Sequence, residues 1–126
     1  MFIRCLYAAL GMLFAMALTG AAAANQKAKD EPSSQSIAPG KIHEICITLK
    51  PKEHLRYSFT ATEKLSFNIH YHTGHKVNYH VSERMTSESK GTFKPISEQK
   101  YCLMWTNWSS ASVELHVAME KSTKAK

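Results

Sequence analysis

The sequence predicts an all-β protein, a small antiparallel β-sandwich of about six to seven strands stapled by one disulfide. Three observations predict it. Apolar and polar residues alternate at period two in stretch after stretch, as in Leu55-Arg56-Tyr57-Ser58-Phe59 and Val113-Glu114-Leu115-His116-Val117. Turn-forming residues interrupt these stretches at roughly 8–12 residue intervals. No stretch from Lys41 to Met119 repeats its apolar residues at the helical period of ~3.6.

The first residues are not part of that fold. Met1 to Arg4 is short and basic, Cys5 to Leu18 is apolar, and Thr19 to Ala24 is small, with Ala22 and Ala24 preceding a cut before Asn25. Residues 1–24 therefore read as a secretory signal peptide. The apolar run falls short of the ~20 residues of a spanning helix, so no stable membrane insertion is expected after cleavage. The mature chain is exported, either to a periplasm or out of the cell. Asn25 to Gly40, polar and with two prolines, reads as a disordered linker. Residues 41–119 hold the sandwich, and residues 120–126 form a basic tail.

Within the sandwich, Ile42 to Leu49 is the first strand, with Ile45, Ile47 and Leu49 on one side and Cys46 on the other. Lys50-Pro51-Lys52-Glu53 is a turn. Leu55 to Phe59 is the second strand, and Ala61 to Lys64 turns the chain again. Leu65 to Tyr71 and Val77 to Val81 form a hairpin. Ser82 to Lys90 is polar and reads as a long loop, and Gly91 to Pro95 as a short edge strand. Gln99 to Thr106 and Val113 to Met119 alternate cleanly and are joined by the turn TNWSS. Of the two tryptophans, Trp105 is expected in the core and Trp108 at the surface, where it could anchor a partner. Asn107-Trp108-Ser109 is formally a glycosylation sequon.

Removing Cys5 with the leader leaves Cys46 and Cys102, an even pair in an oxidising compartment. A bond between them closes a loop of roughly 57 residues and is worth ~4 kcal/mol in the chain-entropy model. The other reading, two thiolates serving a metal or redox chemistry, lacks any Cys-x-x-Cys spacing to support it.

Charge and motifs exclude several functions. The formal net charge is +6, but the excess is spread over the two ends and is not interleaved with aromatics. Nucleic acid is therefore not an expected partner. There is no Gly-x-Ser-x-Gly turn and no glycine-rich phosphate loop. Glu44 and Glu53 stand apart from any second carboxylate, and the chain reads as not an enzyme.

The one stretch that suggests chemistry is FNIHYHTGHKVNYHV, residues 67–81, which holds His70, His72, His75 and His80 of the chain's 7 histidines. His70 and His72 leave the same face of a strand, with backbones ~7 Å apart. If the odd-numbered apolar residues of both strands share the buried face, the loop must have an odd length. A loop of Gly74-His75-Lys76 then sets His70 opposite His80, at ~5 Å between β-carbons. His70, His72 and His80 would form a three-nitrogen face for copper or zinc, with His75 as a further ligand. The other reading is a polar outward face, for which histidine and asparagine serve equally well.

The order of the Cys46 strand, Leu55-Arg56-Tyr57-Ser58-Phe59, Leu65-Ser66-Phe67-Asn68-Ile69 and Gly91-Thr92-Phe93 resembles the GOLD domain, the β-sandwich of the p24 cargo-receptor family. Tyr101-Cys102-Leu103-Met104-Trp105-Thr106-Asn107, followed by Ser109 and Val113-Glu114-Leu115, is the strongest part of the resemblance. It covers Ile42 to Met119. It implies a cysteine bridge from the first strand to this one, and a habit of binding proteins or lipids without an activity. The sequence departs from the family in having Gln99-Lys100 where a glycine is usual. No membrane helix follows Met119, so the family's trafficking role is not implied. The function expected is an exported, non-catalytic binding or adaptor module with a protein or small ligand. The alternative is a small metal-binding protein using the histidine hairpin.

Overall fold

The computed structural model describes residues 32–123. Among these, six strands form one antiparallel system: β1 (Ser33–Ile37), β2 (Ile42–Leu49), β3 (Glu53–Thr73), β4 (Lys76–Phe93), β5 (Gln99–Thr106) and β6 (Val113–Thr123). The class is all-β, as expected. Residues 1–24, expected to be a signal peptide, lie outside the described residues.

β3 and β4 make one long hairpin that folds over on itself. β3 keeps β4 along one side throughout, but divides its other side between two partners. Glu53 to Ala61 pairs with β6, and Ser66 to Tyr71 pairs with β5. Between these segments the register slips: Thr60 faces Glu88, whereas Leu65 faces Thr86. Residues 61–64 therefore stand against Ser87 alone, and the surplus length on one strand bends the sheet. Ala61-Thr62-Glu63-Lys64 carries no large apolar side chain, so nothing holds this segment to a continuous inner face. The Thr62 hydroxyl accepts the Glu114 N–H at 3.0 Å, fastening the crease to β6.

The crease brings the two halves of β3 face to face. The Phe59 ring lies 4.7 Å from Phe67 and 5.5 Å from Trp105, and Tyr57 lies 5.8 Å from Phe67. Leu55, Leu103, Val113 and Leu115 complete a core with no exposed surface, and Ile45 and Ile47 pack at its margin. Such tilted aromatic pairs contribute ~0.5–1.5 kcal/mol each beyond the area they bury. Trp105 Nε1 is the one buried side-chain polar atom among the described residues without a hydrogen-bond partner.

Three boundaries differ from the sequence expectation. Ser33 to Ile37, assigned to the disordered linker, is an edge strand paired with Ile37 opposite Val113. Its backbone ladder and one buried residue, Ile37, hold it, and four exposed polar side chains hide it in the sequence. Ser82 to Lys90, read as a loop, is the middle of β4, with Lys90 facing Ser58. Both of its faces are largely open to solvent, so no alternation marks it. Residues 120–123, assigned to the basic tail, belong to β6, which runs to Thr123, and Lys121 Nζ lies 3.0 Å from Glu53 Oε1.

Asn107 ties the ends of the strands together. Its Nδ2 donates to Ile37 O and to Ala111 O, each at 2.8 Å, and its Oδ1 accepts from Ser109 N and Oγ. Every hydrogen-bonding position of the side chain is used and the residue is fully buried. The sequon amide is thus closed to glycosylation in the folded protein.

Gly91 faces Tyr57 across the β3–β4 ladder. A β-carbon there would stand 3.0 Å from the Tyr57 hydroxyl and 3.2 Å from its ring. Because Tyr57 is packed in the core, the ring has little room to withdraw. Gly91→Ala is expected to destabilise the protein by ~1–3 kcal/mol through overpacking. Unchanged thermal and urea midpoints would show that the ring yields.

Candidate metal site

The site lies on the outward face of the layer formed by β2, β5 and the second half of β3. Antiparallel registers set its side chains in rows. Glu44, Met104 and Asn68 lie in one row, and Cys46, Cys102 and His70 in the next. β4 extends the second row with Tyr79, which faces His70. The Cys46–Cys102 disulfide forms as expected, between directly opposed residues of β2 and β5.

This face of β3 is far drier than an ordinary outward face. Ser66, Asn68 and His70 retain only 2%, 1% and 4% of their exposure. Ser66 Oγ donates to the Glu83 carboxylate. His70 is fixed from both sides, with Nδ1 2.8 Å from Asn68 Oδ1 and Nε2 3.1 Å from Glu44 Oε1. Asn68 sits two residues earlier on the same strand face, which is why its amide reaches the near nitrogen of the ring.

The chemistry depends on the His70 tautomer, and the one in which Nδ1–H meets the Asn68 Oδ1 oxygen has the following consequence. With Nδ1–H donating to the Asn68 carbonyl, a neutral His70 carries its lone pair on Nε2. That lone pair then faces a carboxylate oxygen. Two acceptors at this separation need a positive charge between them, supplied by a proton or a metal ion. Burial holds the His70 pKa below its ordinary 6.5 against the upward pull of Glu44, and the neighbouring His72 adds to the lowering. The proton is therefore the disfavoured occupant near neutrality. Donation of the second ring nitrogen to a fixed acceptor is also how metal-bound histidines are commonly oriented.

His72 adds a second imidazole, its ring 5.1 Å from that of His70 and edge-on to it. An open depression of about 290 Å³ beside them is lined by Glu44, Cys46, His72, Gln99, Lys100 and Cys102. Donor atoms of Glu44, His70 and Cys102 lie within 4.8 Å of one another, a group that could hold a metal ion. While the disulfide is intact its sulfur is a weak donor, so His70 and Glu44 are the two strong donors of the group, and His72 stands beside it and outside it.

The expected set of His70, His72 and His80 is only partly assembled. His70 and His72 share the face, but His80 does not join them. Thr73 pairs with Lys76 across a two-residue turn, Gly74-His75, not a three-residue one. Gly74 has a φ of 60°, the conformation that a type II′ turn needs at its first central position. The resulting offset puts Tyr79 opposite His70. A one-residue slip next to Ile69 then brings Val81 opposite that residue. His80 falls at the slip, and its ring stacks edge-on against Phe93 at 4.5 Å, on the other side of the sheet. His75 sits exposed on the turn, and Trp108 is 67% exposed at the TNWSS turn.

Glu44 is the candidate ligand that sequence reasoning missed. It stood apart from any carboxylate partner, whereas its partner is an imidazole 26 positions along the chain and two strands away. The signal was present in combination. Glu44 precedes Cys46 by two on one strand face, and a bridged Cys102 carries that face to β3.

No family model matches the chain, and no curated protein matches it. Among solved structures the chain is similar to a de novo designed double-stranded β-helix determined by solution NMR. The identity is 14% and the TM-score 0.42, over 71% of this chain and 99% of that one.

The buried ring makes stability depend on pH in the metal-free protein. Between the lowered folded pKa of His70 and 6.5 the unfolded chain binds more protons than the folded one. The stabilisation is fully present above 6.5 and is lost as pH falls through that folded value. His43, desolvated where it stacks 6.0 Å from Trp105, acts in the same direction. The urea midpoint should fall from pH 7 to pH 5, and His70→Gln should flatten the slope. A wild-type profile level over this range would contradict the neutral buried ring.

Proposed function

We propose that the protein is an exported, non-catalytic binding module whose ligand is a transition-metal ion, zinc or copper, held by His70 and Glu44 with His72 alongside. The observation that carries this reading is the buried His70 ring, oriented by Asn68 so that its free nitrogen faces the Glu44 carboxylate at 3.1 Å. Imidazole nitrogen with carboxylate oxygen suits zinc and copper(II). The disulfide points to an oxidising environment, in keeping with export. The resemblance to GOLD domains, which implies binding without an activity, supports the non-catalytic part.

A second reading rests on Trp108. Asn107 and Ser109 hold its turn rigidly, and the ring is presented to solvent at low entropic cost. In that reading the ligand is a protein and Trp108 the anchor.

Titration of the oxidised, metal-free protein with Zn(II) and Cu(II) by calorimetry tests the first reading. Wild type should bind one ion per chain, and His70→Ala should weaken binding on the order of 10–100-fold. His80→Ala should bind as wild type does, because its ring lies on the other side of the sheet. Affinity should fall as pH drops below 6.5, where protons compete for the ring nitrogen, and burial moves that fall to lower pH than for an exposed histidine. Equal, weak binding by wild type and both variants would reject the metal reading and leave the Trp108 turn as the binding feature.

A further inference from the structure

We infer that the Cys46–Cys102 bridge is a redox gate on this metal site, and that its reduction converts an open nitrogen–oxygen site into a closed one with two thiolates. The inference rests on the metal reading of His70 and Glu44. Three observations carry it. Cys102 is buried at 5% exposure, with its sulfur in the same 4.8 Å group as the His70 and Glu44 donors. Cys46, by contrast, is exposed and open to an attacking thiol. The open depression is lined by both cysteines and by Glu44, so the approach to the bridge and the entry to the site coincide.

The reductant is a dithiol. Its first thiolate bonds to Cys46 Sγ, the Sγ–Sγ bond breaks, and Cys102 leaves as a thiolate beside His70 and Glu44. The second thiol of the reductant then attacks the mixed disulfide, departs as a cyclic disulfide and releases Cys46. Two electrons and two protons pass to the protein, and an incoming divalent ion displaces both protons as the two sulfurs bind.

Cys102 already stands in the donor group, and Cys46 lies outside it and must turn its side chain toward it. In a tetrahedral zinc site with Zn–S of ~2.3 Å the two sulfurs stand ~3.8 Å apart, a separation that side-chain rotation supplies from opposed positions on paired strands. Cys46, Cys102, His70 and Glu44 would then provide two sulfurs, one nitrogen and one oxygen. Without a cation, the Cys102 thiolate would lie against the Glu44 carboxylate and be repelled by it. Metal binding and the reduced state must therefore favour each other to the same degree.

The test titrates Cd(II) into the full chain in three forms: oxidised, reduced by a phosphine that is then removed under argon, and Cys46→Ser/Cys102→Ser. The readouts are affinity and the ultraviolet sulfur-to-cadmium charge-transfer band, with near-ultraviolet circular dichroism to follow folding. The reduced form should bind about a hundredfold more tightly, the upper end of what changes around a metal commonly produce. It alone should show the charge-transfer band. The double-serine form should bind like the oxidised one and show no band. If reduced apo-protein unfolds, cadmium restoring the native dichroism supports the inference, and failure to restore it overturns it. Reduced protein binding no more tightly than oxidised protein, with His70→Ala still weakening the oxidised form, overturns the gate and leaves the metal reading intact. If neither form binds cadmium, zinc or copper, both fall.

Discussion

The architecture depends on one constraint, the crease in β3 between Thr60 and Leu65. A flat strand of this length would offer one edge to one partner. By bending, β3 gives its first half to β6 and its second half to β5, so both layers of the core descend from a single strand. The aromatic contacts of Phe59 with Phe67 and Trp105 exist only because the halves face each other. A fold built this way is rich in contacts between distant residues, and such contacts form slowly because chain entropy must be lost first. The β3–β4 turn at Gly74-His75 is the local exception, where a single positive φ sets the register from Thr73 to His70.

Closing the layers at the open end falls to Asn107. Its side chain reaches the carbonyl that ends β1, and its backbone bonds Gly40 and Lys41 at the start of β2. One buried amide thus joins the first two strands to the turn between the last two. Left unmade, each such buried bond costs ~1–3 kcal/mol, so full satisfaction of the amide is what allows a polar group at the end of a small core. The disulfide acts at the next level, joining strands that already pair along 8 residues of β2 and β5.

How much of this the sequence reveals depends on which faces water touches. Strands with one buried face, such as Leu55 to Phe59 and Val113 to Val117, alternate and are legible. The Ser33–Ile37 edge strand and the middle of β4 are held by backbone ladders under polar side chains, and leave no pattern to read. Their strand character is tertiary in origin. The second half of β3 fails the other way, since Leu65 to His70 is buried on both faces. Asn68 and His70 read as solvated residues of an outward face, yet water is largely excluded from them. The site was half legible for this reason. His70 and His72 share a face by period alone, but Glu44 joins them through a strand pairing that no local pattern encodes. His80 leaves them because a two-residue turn, not the three-residue one that alternation suggests, sets Tyr79 opposite His70.

The same burial decides the character of the site. An imidazolium of His70 facing the Glu44 carboxylate at 3.1 Å would gain ~5 kcal/mol at an effective dielectric of ~20, reduced by solvent at the half-exposed carboxylate. Taking the imidazolium out of water costs several kcal/mol, so the two terms nearly cancel. The direction of the His70 shift shows which is larger: desolvation wins, and the ring is neutral near pH 7. What remains is an oriented lone pair, a carboxylate, a second imidazole and an opening to solvent, with no singly charged occupant firmly held. A divalent ion changes the balance. It doubles the attraction to Glu44 and bonds directly to the ring nitrogen, and it leaves the Nδ1 hydrogen bond to Asn68 in place. A neutral, buried, pre-oriented imidazole beside an uncompensated carboxylate is therefore what would let this face hold a divalent ion and not merely an ion pair.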